Sequence, residues 1–417
     1  MTISAPDDAE SLAVGALEWL LKAAQDVEGG LTWPGTLDDD EFNPTLYSGT
    51  SGVLPTLLDA WRHFGDDRYA DAALRGVRSV AAAVDDWEYS GLYTGVAGMA
   101  VALRGVHRVL GDTAAGEAAN RALDVLRSRY DGAGWNDRYE LIVGNAGIAL
   151  AALWCGDLDL AQLAVGRYPG TAEPTTAGVQ WEFRAGAVPR LHHLSHGTLG
   201  IVYALAAVGR AADRPDLVDL ALAGAADVVS RNEAGPDGFL VPHSDPQQQH
   251  EKSERYSYGW CHGPAGDAQV FRLLSRVLPD APAWPVLADR CWHTVVNSGV
   301  PRRIRPGFWD NNGRCCGTAG VLALACDRQV EHGDGRDFAD ILVADLAARA
   351  TTDTDGVRWS NHEHRETPSD LPPATGWAMG NAGIIRELLR HVRITTTRDP
   401  QYAVSFPDHP PTVRACV

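Results

Sequence analysis

Apolar positions along this chain fall into two alternating textures. One is nearly continuous: an Ala/Leu/Val-rich run follows each of seven GxxG steps, in LYSGTSGVLPTLL, LYTGVAGMAVAL, LIVGNAGIALAAL, LSHGTLGIVYAL, WCHGPAGDAQVF, RCCGTAGVLALA and WAMGNAGIIREL. A run that is apolar on most faces predicts a buried helix. The other texture is striped. Ala73, Leu74, Val77, Val80, Ala81 and Val84 follow an i, i+3, i+4, i+7 spacing, which predicts an amphipathic helix with one face on the core. The first glycines of the steps, Gly49, Gly95, Gly144, Gly197, Gly263, Gly317 and Gly380, lie 46 to 66 residues apart. One unit of roughly 50 residues therefore recurs, with insertions in the later copies. Glycine at such a step serves positive φ or close backbone approach.

Length alone, 417 residues, would suggest two or three domains, but the periodicity overrides that expectation. Seven pairs of a buried and an amphipathic helix stack as an open solenoid or close into a ring. Closure is expected, because LEWLLKAAQ near the start and GIIRELLRHV near the end are too apolar to serve as polar caps. The chain then reads as all-α, a ring of seven inner helices inside seven outer ones over residues 1–394. GLTW at Gly30, GVQW at Gly178 and GVRW at Gly356 predict short hairpins on one rim. In such a ring every GxxG turn faces one shared mouth, and three long loops, Tyr168 to Ser195, Glu233 to Gly259 and Thr352 to Trp377, edge it. Residues 395–417, with Pro400, Pro407, Pro410 and Pro411, form an irregular tail expected to run over the surface.

The composition, 45% hydrophobic and 22% charged, is that of an ordinary globular protein. The 36 Lys and Arg residues face 54 Asp and Glu, a net charge of −18 that opposes general nucleic-acid binding. A small molecule, peptide or protein partner fits better. No 18 apolar residues follow one another, so no membrane span is expected, and MTISAPDDAESLAVGALEWLLKAAQ has neither the basic start nor the apolar run of an export signal. Seven scattered cysteines do not form a paired framework, which points to a reducing cytoplasm.

Two of those cysteines, Cys315 and Cys316, are adjacent in FWDNNGRCCGTAGV. Counted from the first glycine of each copy, Cys261 and Cys315 share one place, two residues ahead. Cys316, His196 and His262 share the next. Copies five and six are ring neighbours, so three sulfurs are expected to converge. A disulfide between adjacent cysteines would close a strained ring. Packing as small hydrophobes accounts for Cys155, Cys291 and Cys326; Cys416 has no evident role. Helix N-termini and metals both lower thiol pKa, and a zinc held by three protein ligands keeps one position open. Three thiolates would leave a thiol in that position electron-rich, which suits sulfur alkylation better than hydrolysis.

With WCHGPAG and RCCGTAGV among seven GxxG steps, the chain resembles the lanthionine synthetase C-like family from about Leu12 to Val392. The resemblance implies an α/α toroid (double α-barrel) of seven inner and seven outer helices. It also implies a Zn2+ ion at the mouth and addition of a peptide cysteine thiol across dehydroalanine or dehydrobutyrine to form a thioether. The zinc ligands would be Cys261, Cys315 and Cys316, where many members have Cys-His at the last pair. His196 in SHGTLG would be the acid/base that protonates the enolate. Glu140 stands where many relatives have Asp. His262, in place of a common aromatic residue, would donate to the enolate oxygen or stack in the rim. Ser257 occupies a position that is Arg in some cyclases, with Arg255 two residues upstream. His192 and His193 are expected to be solvated. His362 and His364 are candidates to touch substrate, and Asp310 and Asn311 to hydrogen-bond the sulfurs or brace their loop. No dehydratase module is present, so the implied partners are a dehydrated precursor peptide and a separate dehydratase. Two alternatives keep the zinc site: addition of glutathione or another small thiol to dehydroamino acids, and a non-catalytic peptide-binding scaffold. The carboxylate pairs of toroidal glycosidases are not matched.

Overall fold

A computed structural model describes residues 8–36, 41–247 and 254–412. The near-continuous apolar runs are helices α2 (Thr50–Phe64), α4 (Val96–Leu110), α6 (Asn145–Cys155), α9 (Thr198–Ala211), α11 (Pro264–Val277), α13 (Thr318–Glu331) and α15 (Asn381–Thr396). Each packs on the next, and α15 packs on α2, so the ring is closed. The striped segments are α1 (Ala9–Lys22), α3 (Asp67–Ala83), α5 (Thr113–Ser128), α7 (Leu158–Val165), α10 (Pro215–Ser230), α12 (Ala283–Asn297) and α14 (Arg336–Arg349). These form the outer layer, each against one inner helix, with α1 closing on α15. On α3 the stripe is as read: Ala73, Val77 and Val80 are buried. Asp66, Asp112 and Asp157 cap outer helices by accepting backbone N–H bonds, which satisfies first-turn donors. A single short helical turn, α8 (Tyr168–Thr171), adds to these fourteen among the described residues.

The GxxG step has a steric cause. All seven first glycines are helix N-caps in extended conformation, so close approach rather than positive φ selects them. The second glycine of each step lies under the carbonyl oxygen six residues earlier, as Gly266 does under Trp260 and Gly320 under Arg314. A Cβ there would overlap that oxygen and push the turn off the helix.

The three predicted hairpins are present as β1 (Gln25–Val27) with β2 (Gly30–Thr32), β3 (Glu173–Pro174) with β4 (Val179–Gln180), and β7 (Thr351–Asp353) with β8 (Gly356–Arg358), all antiparallel. A fourth pair, β5 (Arg190–Leu191) with β6 (Ser244–Asp245), ties the first long loop to the second. Each predicted hairpin ends in a tryptophan whose indole N–H donates to a carbonyl of the preceding helix: Trp33 to Leu20 and Trp359 to Leu346 in the last turns of α1 and α14, and Trp181 to Tyr168 in the single turn of α8. These bonds satisfy helix-end acceptors and hold the hairpins on the rim that carries the GxxG turns.

The tail is irregular but does not run over the surface. Val404, Phe406, Asp408, His409 and Thr412 are buried, because the ring interior holds ionic groups that need partners. Asp327 of α13 accepts from Arg390, Arg272, His409 and Thr412. Arg386 of α15 binds Asp59 of α2 and the Val404 carbonyl. Arg62, near the far end of α2, holds the Tyr402 carbonyl, while Asp408 accepts from Tyr93 Oη at 3.0 Å near the GxxG end. The tail thus enters the toroid from its far end, reaches Tyr93 at Asp408, and turns back to Asp327 and Gln401 at Thr412. Cys416 lies outside the described residues. No helix among the described residues is long and apolar enough to cross a membrane.

Candidate metal centre

A belt of backbone hydrogen bonds runs around the mouth, through the residues two places ahead of the first glycines. Tyr47 N–H donates to Tyr93 O, Tyr93 to Ile142, Ser195 to Cys261, Cys261 to Cys315, Cys315 to Ala378, and Ala378 back to Tyr47, at 2.8 to 3.2 Å. Only the third copy slips by a residue: Leu141 donates to Ser195, because the Ile142 N–H is taken by Glu140 Oε2 at 2.8 Å. The belt ties all seven copies to one another and fixes the cysteine backbones.

On it the three sulfurs meet. Cys261 Sγ lies 2.9 Å from Cys316 Sγ, which lies 3.4 Å from Cys315 Sγ. All three donor atoms are within 4.8 Å of one another, and the thiols are free. Tetrahedral coordination at about 2.3 Å would set sulfurs about 3.8 Å apart, so a small outward shift seats an ion. Three soft donors suit a metal of zinc's type. The Cys315 thiol is pushed well below the usual range by hydrogen bonds from Cys261 and Cys316. Cys261 is pushed well above it by its hydrogen bonds with Cys315 and Cys316, then by burial. Tyr47 Oη donates to Cys315 Sγ at 3.4 Å.

Beside the sulfurs, His196 Nδ1 lies 2.8 Å from Glu140 Oε2. Glu140 is buried, and its other oxygen accepts from Val143 N–H at 2.8 Å. The His196 side chain is 37% exposed. Burial opposes its protonation, but Glu140, by charge and hydrogen bond, and then Cys315 outweigh it, so its pKa is raised. The Glu140 contact makes Nδ1 the donor nitrogen and leaves Nε2 to exchange a proton. His262 stacks on His196 with centroids 5.3 Å apart and an interplanar angle of 23°. His243, whose ring centroid is 4.0 Å away, closes on it from the second long loop. Burial, then the neighbouring histidines, hold His262 well below the usual pKa, so it is a neutral ring.

His192 and His193 are buried rather than solvated, because the fourth copy's turn folds under the mouth. His193 Nδ1 pairs with the buried Asp267 at 2.8 Å, and neither ring nitrogen of His192 has a partner. Burial, then Arg231, lowers the His192 pKa to about 3. The unfolded chain takes up a proton near pH 6.5 and the folded chain does not. Stability from this group is complete above pH 6.5, falls as pH drops, and levels off below about 3, a loss of a few kcal/mol. His192→Leu is expected to flatten the acid limb of a denaturation-midpoint profile between pH 6.5 and 4. An unchanged slope would show that His192 does not set it.

A cavity of about 400 Å³ opens from Cys261, His262 and Cys316, walled by Tyr258, Phe308 and Trp309. Arg255 lines it but is paired with Glu233 and Tyr256. Arg305 and Arg365, also on the wall, pair with Glu254 and Glu363. The second and third long loops edge this cavity; the first is tied to the second through the β5–β6 pair. His364 pairs with Asp310 at 3.1 Å and His362 with Asp370 at 3.0 Å. Asp310 and Asn311 brace their loop, through His364, through Arg303 at the Asp310 carbonyl, and through Thr318 N–H at the Asn311 carbonyl. Cys155, Cys291 and Cys326 are buried core thiols. Tyr47, which no motif marks, shares the repeat position of Cys261 and Cys315.

Fold and site together define a closed α/α toroid with a sulfur cluster at its mouth. The model of the lanthionine synthetase C-like protein family matches residues 40–248 and 244–343, and the chain belongs to that family. Among solved structures, nisin cyclase is similar at a TM-score of 0.63 and 15% identity, over 88% of this chain and 92% of that one. The Lin0763 protein from Listeria innocua is similar at 0.51 and 11%, over 94% and 98%. At such identities the likeness is one of fold. No curated protein sequence matches the chain.

Proposed function

We propose that the protein is a zinc-dependent cyclase that adds a cysteine thiol of a dehydrated precursor peptide across dehydroalanine or dehydrobutyrine, forming a thioether ring. The observation that carries this reading is the convergence of three cysteine sulfurs on adjacent repeats, two of them, Cys261 and Cys316, lining a cavity, beside a His–Glu pair. Cys261, Cys315 and Cys316 would hold the ion. When bound, zinc would lower the pKa of an incoming thiol and keep it nucleophilic at neutral pH.

The chain's own residues supply the rest. Addition of the thiol sulfur to the alkene carbon forms a C–S bond and moves an electron pair onto the carbonyl as an enolate; a proton must then reach the α-carbon. His196 is the donor. Its raised pKa keeps it charged nearer neutrality, and Glu140 aims the ring and stabilises the imidazolium. The neutral His262 ring stacks against His196 and limits its rotation. Tyr258, Phe308 and Trp309 give the peptide apolar contacts in a cavity that is otherwise lined by polar groups.

The same cavity favours a peptide over glutathione. Each wall guanidinium already has a carboxylate partner, so two incoming carboxylates would have to displace existing pairs. A dehydratase acting before this protein is part of the proposal, since a dehydroamino acid must be formed before a thiol can add to it. The test is a synthetic peptide carrying one dehydroalanine and one cysteine, incubated with zinc-loaded protein. Loss of the free thiol without a mass change, much faster than for peptide alone, is expected. Equal rates would sink the reading, and a dominant glutathione adduct in a competition would replace it with the small-thiol alternative.

A further inference from the structure

Resting on the zinc reading above, we infer that Tyr47 is a positioning residue of the metal centre, its phenol O–H donating to the Cys315 sulfur and offsetting the charge of a three-thiolate site. Three thiolates around a divalent ion leave one negative charge in excess. Cys316 lines the open cavity, but Cys261 and Cys315 are 5% and 3% exposed, so water does little to solvate the Cys315 sulfur. Buried charge of this kind requires hydrogen-bond donors. Tyr47 Oη reaches Cys315 Sγ at 3.4 Å.

The geometry is built rather than incidental. Both backbone polar groups of Tyr47 are on the belt: its N–H donates to Tyr93 O, and its carbonyl accepts from Ala378. Ala378 in turn accepts from Cys315 N–H. Tyr47 and Cys315 are thus two steps apart on one closed hydrogen-bond circuit, and the residue between them has only a methyl side chain, which leaves the phenol a path to the sulfur. The Tyr47 ring meets the Tyr93 ring edge-on, with centroids 6.4 Å apart at 86°. Tyr93 is itself fully buried among Trp260, Trp377 and Phe406. Ring and backbone together aim the hydroxyl. In repeat numbering Tyr47 occupies, in the first copy, the place that Cys261 and Cys315 occupy in theirs.

Tyr47→Phe keeps the ring and removes only the donor. In cobalt-substituted protein, the sulfur-to-cobalt charge-transfer band of Tyr47→Phe is expected to move to lower energy, because a sulfur without its donor gives up charge more readily. Zinc affinity, by chelator competition, is expected to fall by about 10-fold or more, as for other partners of metal ligands. The thermal midpoint is expected to stay put. Tyr93→Phe is the control: its hydroxyl goes to Asp408, and its band should not move. An unmoved band with unchanged zinc affinity in Tyr47→Phe overturns the inference alone. Failure of Tyr47→Phe to fold assigns the residue to packing and also overturns it. A parent protein that gives no thiolate–cobalt band overturns the zinc reading, and the inference with it.

Discussion

Cys316→Ala is expected to abolish thioether formation and to strip the protein of zinc, while Cys316→His keeps the metal. The sulfur of Cys316 is central in the cluster, in contact with both Cys261 Sγ and Cys315 Sγ. Without it two sulfurs remain, which is not a stable protein donor set for a site that must also keep a position open. If about 10–16 kcal/mol of binding is shared over four donors, each sulfur contributes roughly 3 kcal/mol, or about 100-fold in affinity. A thiol lacking the ion reverts to its ordinary pKa near 8.5 and is mostly protonated at pH 7, so the rate should approach that of the peptide alone. Histidine at this position restores a third donor of the kind many family members carry. Zinc content by elemental analysis and free-thiol counts on a dehydroalanine peptide are the two readouts. A Cys316→Ala protein that binds one zinc per chain with unchanged affinity would remove Cys316 from the ligand set. One that loses zinc yet cyclises at the parent rate would separate the metal from the chemistry.

Much of this site is legible in sequence because repeats convert spacing into position. Cys261 and Cys315 are 54 residues apart, a distance that means little until both are counted from their own glycines. His196 and Glu140 are legible through the family motifs, and their 2.8 Å contact follows from copies three and four being neighbours. What escapes is whatever depends on closure. Tyr47 reaches Cys315 only because the first copy and the sixth are brought to one rim by the ring. His192 and His193 look like loop residues, since nothing local says that this turn folds beneath the mouth. The same limit applies to glycine: composition suggests either positive φ or close approach, and only the carbonyl lying over Gly266 decides for the second.

The tail is the largest departure, and it carries the second large prediction. Deleting residues 400–417 is expected to leave a chain that does not fold, and Phe406→Ala a chain destabilised by about 3–5 kcal/mol. Proline spacing makes this segment irregular, which reads as surface, but irregular backbone can be buried where side chains satisfy it. Here they do: Arg386 holds the Val404 carbonyl, Arg390 the Pro400 carbonyl and Arg62 the Tyr402 carbonyl. Removing the tail also strips Thr412 and His409 from Asp327, and Tyr402 from Arg390 and Glu387. Breaking one buried ionic group's partnerships costs about 3–5 kcal/mol. Together with the loss of Phe406 from its packing on Tyr93 and Trp377, that approaches the whole stability of a typical domain, about 5–15 kcal/mol. Because Tyr93 is on the belt beside Tyr47, Phe406→Ala should also loosen the floor of the sulfur cluster and raise the rate of zinc loss to a chelator. Urea unfolding and chelator kinetics on that one variant test both effects. An unchanged unfolding midpoint would show that the tail is a passenger in the lumen, whereas a lowered midpoint with unaltered zinc release would confine its role to stability.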